Sequence, residues 1–285
     1  MRPLVAALAL ILGAAPALAQ ETGKEKPGDK EWVFAATPYV WLMGASGSVT
    51  AKGQTVDVNA GIADIFGKTD GLIALMQNFE ARHDKWTLGL DAIYTRMVMS
   101  PTVATQRNPV PWLNFSANAG ANVTSTLVVL EGTAGYELAK LAPDTALDGL
   151  VGLRYWHTST DMTFGFQATG TIQTPENVGL FSKSIGVAGA SSGSIDWADP
   201  LVGLRLRHEI APHHRLMVRG DVGGFGVGSQ FTWQALGVYA YEFSSGPTSW
   251  SAVIGYRAIG VNDSSGTNSM DLVLHGPVLG VTARW

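Results

Sequence analysis

The stretch Leu147-Asp148-Gly149-Leu150-Val151-Gly152-Leu153-Arg154-Tyr155-Trp156-His157 decides the fold. Its odd positions, Leu147, Gly149, Val151, Leu153 and Tyr155, are apolar, small or aromatic. Its even positions, Asp148, Leu150, Gly152, Arg154 and Trp156, set charges among small and bulky residues. Side chains of an extended chain alternate between two faces, so this is a strand with one apolar face and one charged face. The same period of two recurs elsewhere. Phe231, Trp233, Ala235, Gly237, Tyr239, Tyr241 and Phe243 oppose Thr232, Gln234 and Glu242. Val202, Leu204 and Leu206 oppose Gly203, Arg205 and Arg207, and Trp86, Leu88, Leu90 and Tyr94 oppose Thr87, Gly89, Asp91 and Thr95.

Alternation alone fits a soluble sandwich as well as a membrane barrel. Three features favour the barrel. The segments reach the ten or so residues that cross a bilayer at a tilt, where soluble strands average nearer five or six. Aromatics gather at segment ends, at Trp86, Tyr136, Phe243, Trp250 and Trp285, as in an interfacial girdle. The polar faces carry glycine and charges of both signs, which suits a lumen. The links also alternate between short (83–85, 139–145, 210–214, 244–247) and long (44–70, 101–122, 158–194, 262–269), with 226–229 a brief exception. The reading is a single antiparallel transmembrane β-barrel over 32–285. Its ten strands are 32–44, 71–82, 86–98, 123–138, 146–157, 195–208, 215–225, 230–243, 248–261 and 270–285. Eight or twelve strands stay open, because 46–58 and 164–188 each have room for a hairpin.

Composition agrees. The 285 residues are 46% hydrophobic and only 15% charged, against roughly 25% charged in ordinary soluble domains. With 19 basic and 23 acidic residues the net charge is -4, which argues against a nucleic-acid partner. The absence of cysteine excludes disulfides, thiolate metal sites and cysteine nucleophiles. At the N-terminus, Arg2, the apolar run 4–15 and Ala17-Leu18-Ala19 predict a secretory signal peptide over 1–19. A short flexible leader over 20–31 is expected to follow. At the other end, Pro277, Leu279, Val281, Ala283 and Trp285 alternate with Val278, Gly280, Thr282 and Arg284. A strand that stops on an aromatic suggests Trp285 as the feature that the barrel-assembly machinery recognises. Outer-membrane lipids and lipopolysaccharide are the expected surroundings of the apolar belt.

The chain resembles a family of uncharacterised Gram-negative outer-membrane β-barrel proteins, of the small OmpA-like or porin-like kind. The matching stretches are 36–42, 152–156, 197–205, 219–229 and 275–280, most distinctively Asp199-Pro200 with Gly203-Leu204-Arg205, and Gly220-Asp221-Val222-Gly223-Gly224-Phe225-Gly226. The resemblance implies a barrel in the outer membrane and no particular activity.

The strongest constellation is the expected lumen. Strand parity places Glu80, Asp91, Glu131, Glu137, Asp148, Asp221 and Glu242 inside, with Arg82, Arg154, Arg205, Arg207, Arg219, Arg257 and Arg284. Small barrels have interiors just wide enough for side chains to fill. Arginine suits bidentate pairing with carboxylates, so a structural ion-pair network is favoured over an ion-selective channel lined by charge. The glycines of 220–229 lack the lysine and helix context of a phosphate loop and mark a tight bend. The histidines have no carboxylate at metal-ligand spacing, and no metal or cofactor is expected. His157 and Ser159 look like the His-x-Ser of outer-membrane lipid A deacylases, with His as base and Ser as nucleophile. The acid that orients the base should come from the adjoining strand at matching height. The nearest downstream acids, Asp161 and Glu176, fall in an expected loop. The leading expectation is therefore a non-enzymatic structural or narrow-channel protein. A lipid-modifying hydrolase, and an adhesion module acting through loops 101–122 and 158–194, are the alternatives.

Overall fold

Phe34 and Trp285, near opposite ends of the chain, exchange two backbone hydrogen bonds of 2.8 and 3.0 Å. That pairing closes the sheet. A computed structural model describes residues 31–285 except 52–53, 101, 111–112, 173–180, 245–246 and 266–267. The expected signal peptide, and the leader up to residue 30, lie outside the described residues.

In chain order the elements are β1 (Val33–Trp41), β2 (Gly44–Ala51), β3 (Gln54–Ala60), α1 (Ile62–Lys68), β4 (Gly71–His83), β5 (Trp86–Met99), β6 (Thr102–Val110), β7 (Leu113–Ala142), β8 (Thr145–Ile172), β9 (Phe181–Ala211), β10 (His214–Gly224), β11 (Phe231–Ser244), β12 (Ser249–Ser265) and β13 (Asn268–Arg284). Ten of them form the ring β1-β4-β5-β7-β8-β9-β10-β11-β12-β13, and β13 pairs back onto β1 from Ala35↔Arg284 to Trp41↔Val278. All neighbours are antiparallel. A closed sheet leaves no row of unpaired backbone groups to lipid, which is why membranes admit it. Among the described residues no helix is long and apolar enough to cross a membrane. Below, "lower" denotes the end holding Phe34 and Trp285.

The ten expected strands correspond to the ten of the ring. Two expectations need correction. The segments 101–122 and 158–194 are strand over nearly all their described length: β6 pairs with the start of β7, and β8 and β9 stay paired out to Ile172↔Phe181. Their Ser, Thr, Asn and Gly content suggested loops, yet threonine suits strands well, and the period of two never stops. The hairpin foreseen near 46–58 exists as β2–β3, but it extends the sheet beside the upper part of β13 and adds no strand to the ring.

On β8, Val151 and Leu153 point outward and are about three-fifths exposed (57% and 62%), while Asp148, Leu150, Arg154 and Trp156 are buried. Leu204 and Val218 on β9 and β10, and Ile254 on β12, continue the exposed apolar belt. Its lower margin is aromatic: Phe34 stacks near Phe79 and Trp285, and Trp86 meets Tyr136 edge-on at 4.9 Å. Register shifts in the β7–β8, β9–β10 and β11–β12 pairs occur only near the lower end. Above them these three pairs keep one register, so parity assigns the faces, while β6–β7 shifts once between Arg107 and Val110.

Candidate functional site

Three tiers of side chains fill the barrel. In the lowest, Asp148 on β8 accepts from Arg205 Nε (2.9 Å) and from Arg207 Nε and Nη2 (2.8 and 2.9 Å). Arg82 lies 3.6 Å from the same carboxylate, and Arg207 reaches Glu137 at 3.1 Å. Arg205 also donates to Glu80 at 2.5 Å. Glu80 stands on β4 and Arg205 on β9, with β5, β7 and β8 between them in the ring, so this pair spans the lumen.

The middle tier is drier. Arg154, with 0% exposure, donates to Glu131 Oε2 and to Asp221 Oδ1, both at 2.7 Å. Arg219 adds contacts of 2.7 and 2.8 Å to the same two carboxylates. Gln234 donates to Asp221 and accepts from Arg257. Arg257 on β12 then crosses to Asp91 on β5 at 2.6 Å, and Tyr39 binds both. Gly203 lies opposite Asp221, and a Cβ there would sit 2.5 Å from the Asp221 side chain, so glycine makes room for the carboxylate. Leaving one member of such a set unpaired costs about 3–5 kcal/mol, because the partner stays charged away from water.

The third tier is apolar. Trp41, Met76, Ile93, Val129, Trp156, Ile259, Val261 and Val278 form one buried cluster, and Trp197 stacks on Trp156 at 5.5 Å. The Arg257 guanidinium lies 5.2 Å from the Trp41 ring and joins this tier to the charges below. Trp41 Nε1, Trp156 Nε1 and Thr95 Oγ1 are buried without a hydrogen-bond partner among the described residues.

The structure therefore brings Glu80, Arg82, Asp148, Arg205 and Arg207 into one cluster. It brings Asp91, Glu131, Arg154, Arg219, Asp221 and Arg257 into another. Glu242 stands apart, 3.2 Å from Arg215 at the lower end. Sequence reasoning missed Tyr39, Gln234 and Asp199. Asp199 is fully buried and accepts from the backbone and hydroxyl of Ser229 (2.7 and 2.9 Å) and from Trp197. It anchors the tight turn after β10, where Gly224 and Gly226 take φ of 87° and 74°. The signal was present, since Asp199 shares the parity of Arg205.

A second constellation lies on the outer wall at the top of the apolar belt. Asp196 on β9 is paired directly with His157 on β8, and its Oδ1 is 2.6 Å from His157 Nδ1. The Tyr155 hydroxyl donates to the same oxygen at 2.6 Å. Ser159 follows on the same face as His157. An acid beside His157, which the sequence did not supply, is thus present as Asp196 on the adjoining strand at matching height. Alternation gives a residue's face but not its cross-strand partner, so only the β8–β9 register reveals it. Three other histidines each hydrogen-bond one side chain: His208 meets Thr145, His214 meets Tyr239 and His275 meets Tyr256. Among the described residues no group of three or more His, Asp or Glu side chains is placed to hold a metal ion.

Fold and interior together define an antiparallel transmembrane β-barrel with a packed core. No family model and no curated protein matches the chain. Similar solved structures include a FadL homologue of Pseudomonas aeruginosa (10% identity, 90% of each chain covered, TM-score 0.28). The translocator domain of the autotransporter NalP from Neisseria meningitidis is also similar (12% identity, 88% of this chain and 87% of that one, TM-score 0.27). So is Ail, the attachment invasion locus protein of Yersinia pestis (9% identity, 90% and 99%, TM-score 0.23).

Proposed function

We propose that this chain is an integral outer-membrane protein whose barrel is a closed, non-conducting support rather than a narrow channel. One observation carries this reading: ion pairs cross the lumen at two heights, Arg205–Glu80 and Arg257–Asp91, beneath a buried apolar tier. A conducting pore needs a continuous polar path, and neither salt-bridged arginines nor stacked tryptophans supply one. The exposed apolar belt with its aromatic lower margin supports placement among outer-membrane lipids and lipopolysaccharide. Liposome swelling tests the reading. Vesicles carrying the folded protein should swell in small sugars no faster than empty vesicles, and faster swelling would overturn it.

A second reading rests on the 2.6 Å contact between His157 and Asp196. Asp196 holds the Nδ1 proton of His157, leaving Nε2 as a base for the Ser159 hydroxyl. Attack of Ser159 Oγ on an ester carbonyl would pass the serine proton through His157 to the departing alcohol. Water would then release the carboxylic acid from the acyl-serine. The position, at the upper margin of the lipid-facing belt, is where acyl esters of membrane lipids lie. This reading expects lipid A incubated with the reconstituted protein to lose one acyl chain by mass, and Ser159→Ala to abolish the loss. Lipid A of unchanged mass contradicts it.

A further inference from the structure

Above the lipid belt β9 has a ladder partner on one edge only. It stays in unbroken register with β8 from Thr145↔His208 to Ile172↔Phe181. On its other edge β10 pairs with it no higher than Leu201↔Gly223. There the chain turns back. Ser229 is tied to Asp199, and a Cβ on Gly228 would strike the Ala198 carbonyl oxygen. From Phe181 to Asp196 the second edge of β9 therefore pairs with no described strand. The direction of its backbone groups follows from one bond lower down. The Glu209 amide donates to the Asp144 carbonyl, on the β8 side, at 2.9 Å. Backbone groups alternate in direction along a strand, so the odd-numbered residues of β9 address β8. The even-numbered ones from Ser182 to Ser194, Gly186 and Ala188 among them, turn their N–H and C=O groups to the open edge. The unbroken register also fixes the faces. Ser159, Asp161 and Thr163 of β8 point outward, while Met162, Phe164 and Phe166 of β8 and Ile185 and Val187 of β9 point inward.

A row of unpaired amides and carbonyls at strand spacing is complementary to one kind of molecule, another extended polypeptide. Proteins ordinarily protect such edges with short length, charge, proline or a bulge. The free edges of β3 and β6 carry these devices. β3 is seven residues long and holds Asp57. β6 holds Arg107 and Pro109, with a register shift between Arg107 and Val110. From Phe181 to Asp196, β9 has no proline and no register shift, and its charges are Lys183 and Asp196, near its two ends. We infer that this upper edge of β9 is a docking edge for an extended segment of another protein, which adds as a strand in the place that β10 leaves above Gly224. Backbone hydrogen bonds to the even-numbered residues hold the segment. It runs antiparallel to β9, as β10 does, and its inward side chains lie beside Ile185 and Val187, which are 60% and 59% exposed. Such neighbours favour β-branched residues. With one charge of each sign on the edge, the fitting segment is uncharged. Two copies inserted side by side both run β9 downward, so a second copy in the same membrane does not fill this antiparallel place. The inference requires that these residues stand outside the membrane and does not depend on a closed lumen.

The probe is a fluorescent peptide of alternating threonine and valine, about ten residues long and flanked by lysines for solubility. It is added to the folded protein in lipid nanodiscs. It should bind saturably and slow amide exchange over 181–196, with exchange in β3 and β6 unchanged. The same peptide N-methylated at every residue keeps its side chains but has no amide donors, and should not bind. Ala188→Pro and, separately, Ser192→Pro each remove an N–H that faces the open edge and leave the β8 ladder intact. Each should weaken binding about tenfold while retaining heat-modifiable gel mobility. No saturable binding, equal binding of the N-methylated peptide, or an affinity unmoved by both prolines would overturn the proposal. So would slow exchange over 181–196 without the probe in nanodiscs holding two copies, since a second copy would then occupy the edge. Vesicle swelling by a protein that still binds the probe would refute the closed lumen and leave the docking edge standing.

Discussion

Residues 148–156 and 158–168 of β8 share one strand, one register and one alternation, yet their apolar faces are opposite. In the lower stretch Leu153 meets lipid and Arg154 is locked between Glu131 and Asp221. In the upper stretch Thr163 faces out and Phe164 faces in. The difference shows that a period of two fixes geometry only, while the surrounding medium decides which face is apolar. Lipid demands an apolar exterior and pushes charges into pairs inside. Water above the belt demands a polar exterior and leaves apolar side chains on the concave side. The switch between Tyr155 and Ser159 therefore marks the upper edge of the membrane-spanning part.

The largest expected effect lies in the middle tier. Arg154→Ala leaves the buried Glu131 and Asp221 to share the single charge of Arg219 and should destabilise the barrel by about 3–5 kcal/mol, or prevent refolding. Urea unfolding read by heat-modifiable mobility measures it, and a loss under about 1 kcal/mol would break the claim that this tier is a desolvated network. Next, Val151→Arg places a charge on the outer face within the belt and should cost about 2–4 kcal/mol. A smaller loss, about 1–3 kcal/mol, is expected for Asp199→Ala, which leaves the Ser229 amide without its acceptor. Thr163→Arg, on the same outer face of β8 as Val151, should change stability by no more than about 0.5 kcal/mol. Comparable losses at Val151 and Thr163 would mean that both lie in lipid, and the boundary drawn here would fail.

The ring was legible because its strands announce themselves by apolar and charged alternation, as in 147–157, and because short polar links separate them. The upper parts of β7, β8 and β9 were not. Ser, Thr, Asn and Gly on the water-facing side lowered the apolar contrast, and the remaining inward residues, such as Met162, Phe164 and Phe166, carry the opposite phase. Parity was enough to gather most of the interior charges. It could not tell that Arg257 reaches across to Asp91, because cross-lumen contacts depend on ring size and curvature. Asp196 needed the register, and Asp199 needed the turn that folds Ser229 back over the rim.

The central claim is that the lumen is closed, and single-channel recording tests it most directly. Mature protein, refolded and shown to be heat-modifiable, is added to a planar bilayer in potassium chloride and in salts of larger ions. The packed tiers predict silence at every salt. Steady, reproducible conductance steps with an ion preference would contradict the account, because they would require a continuous polar path past Arg154, Arg257 and the tryptophans above them.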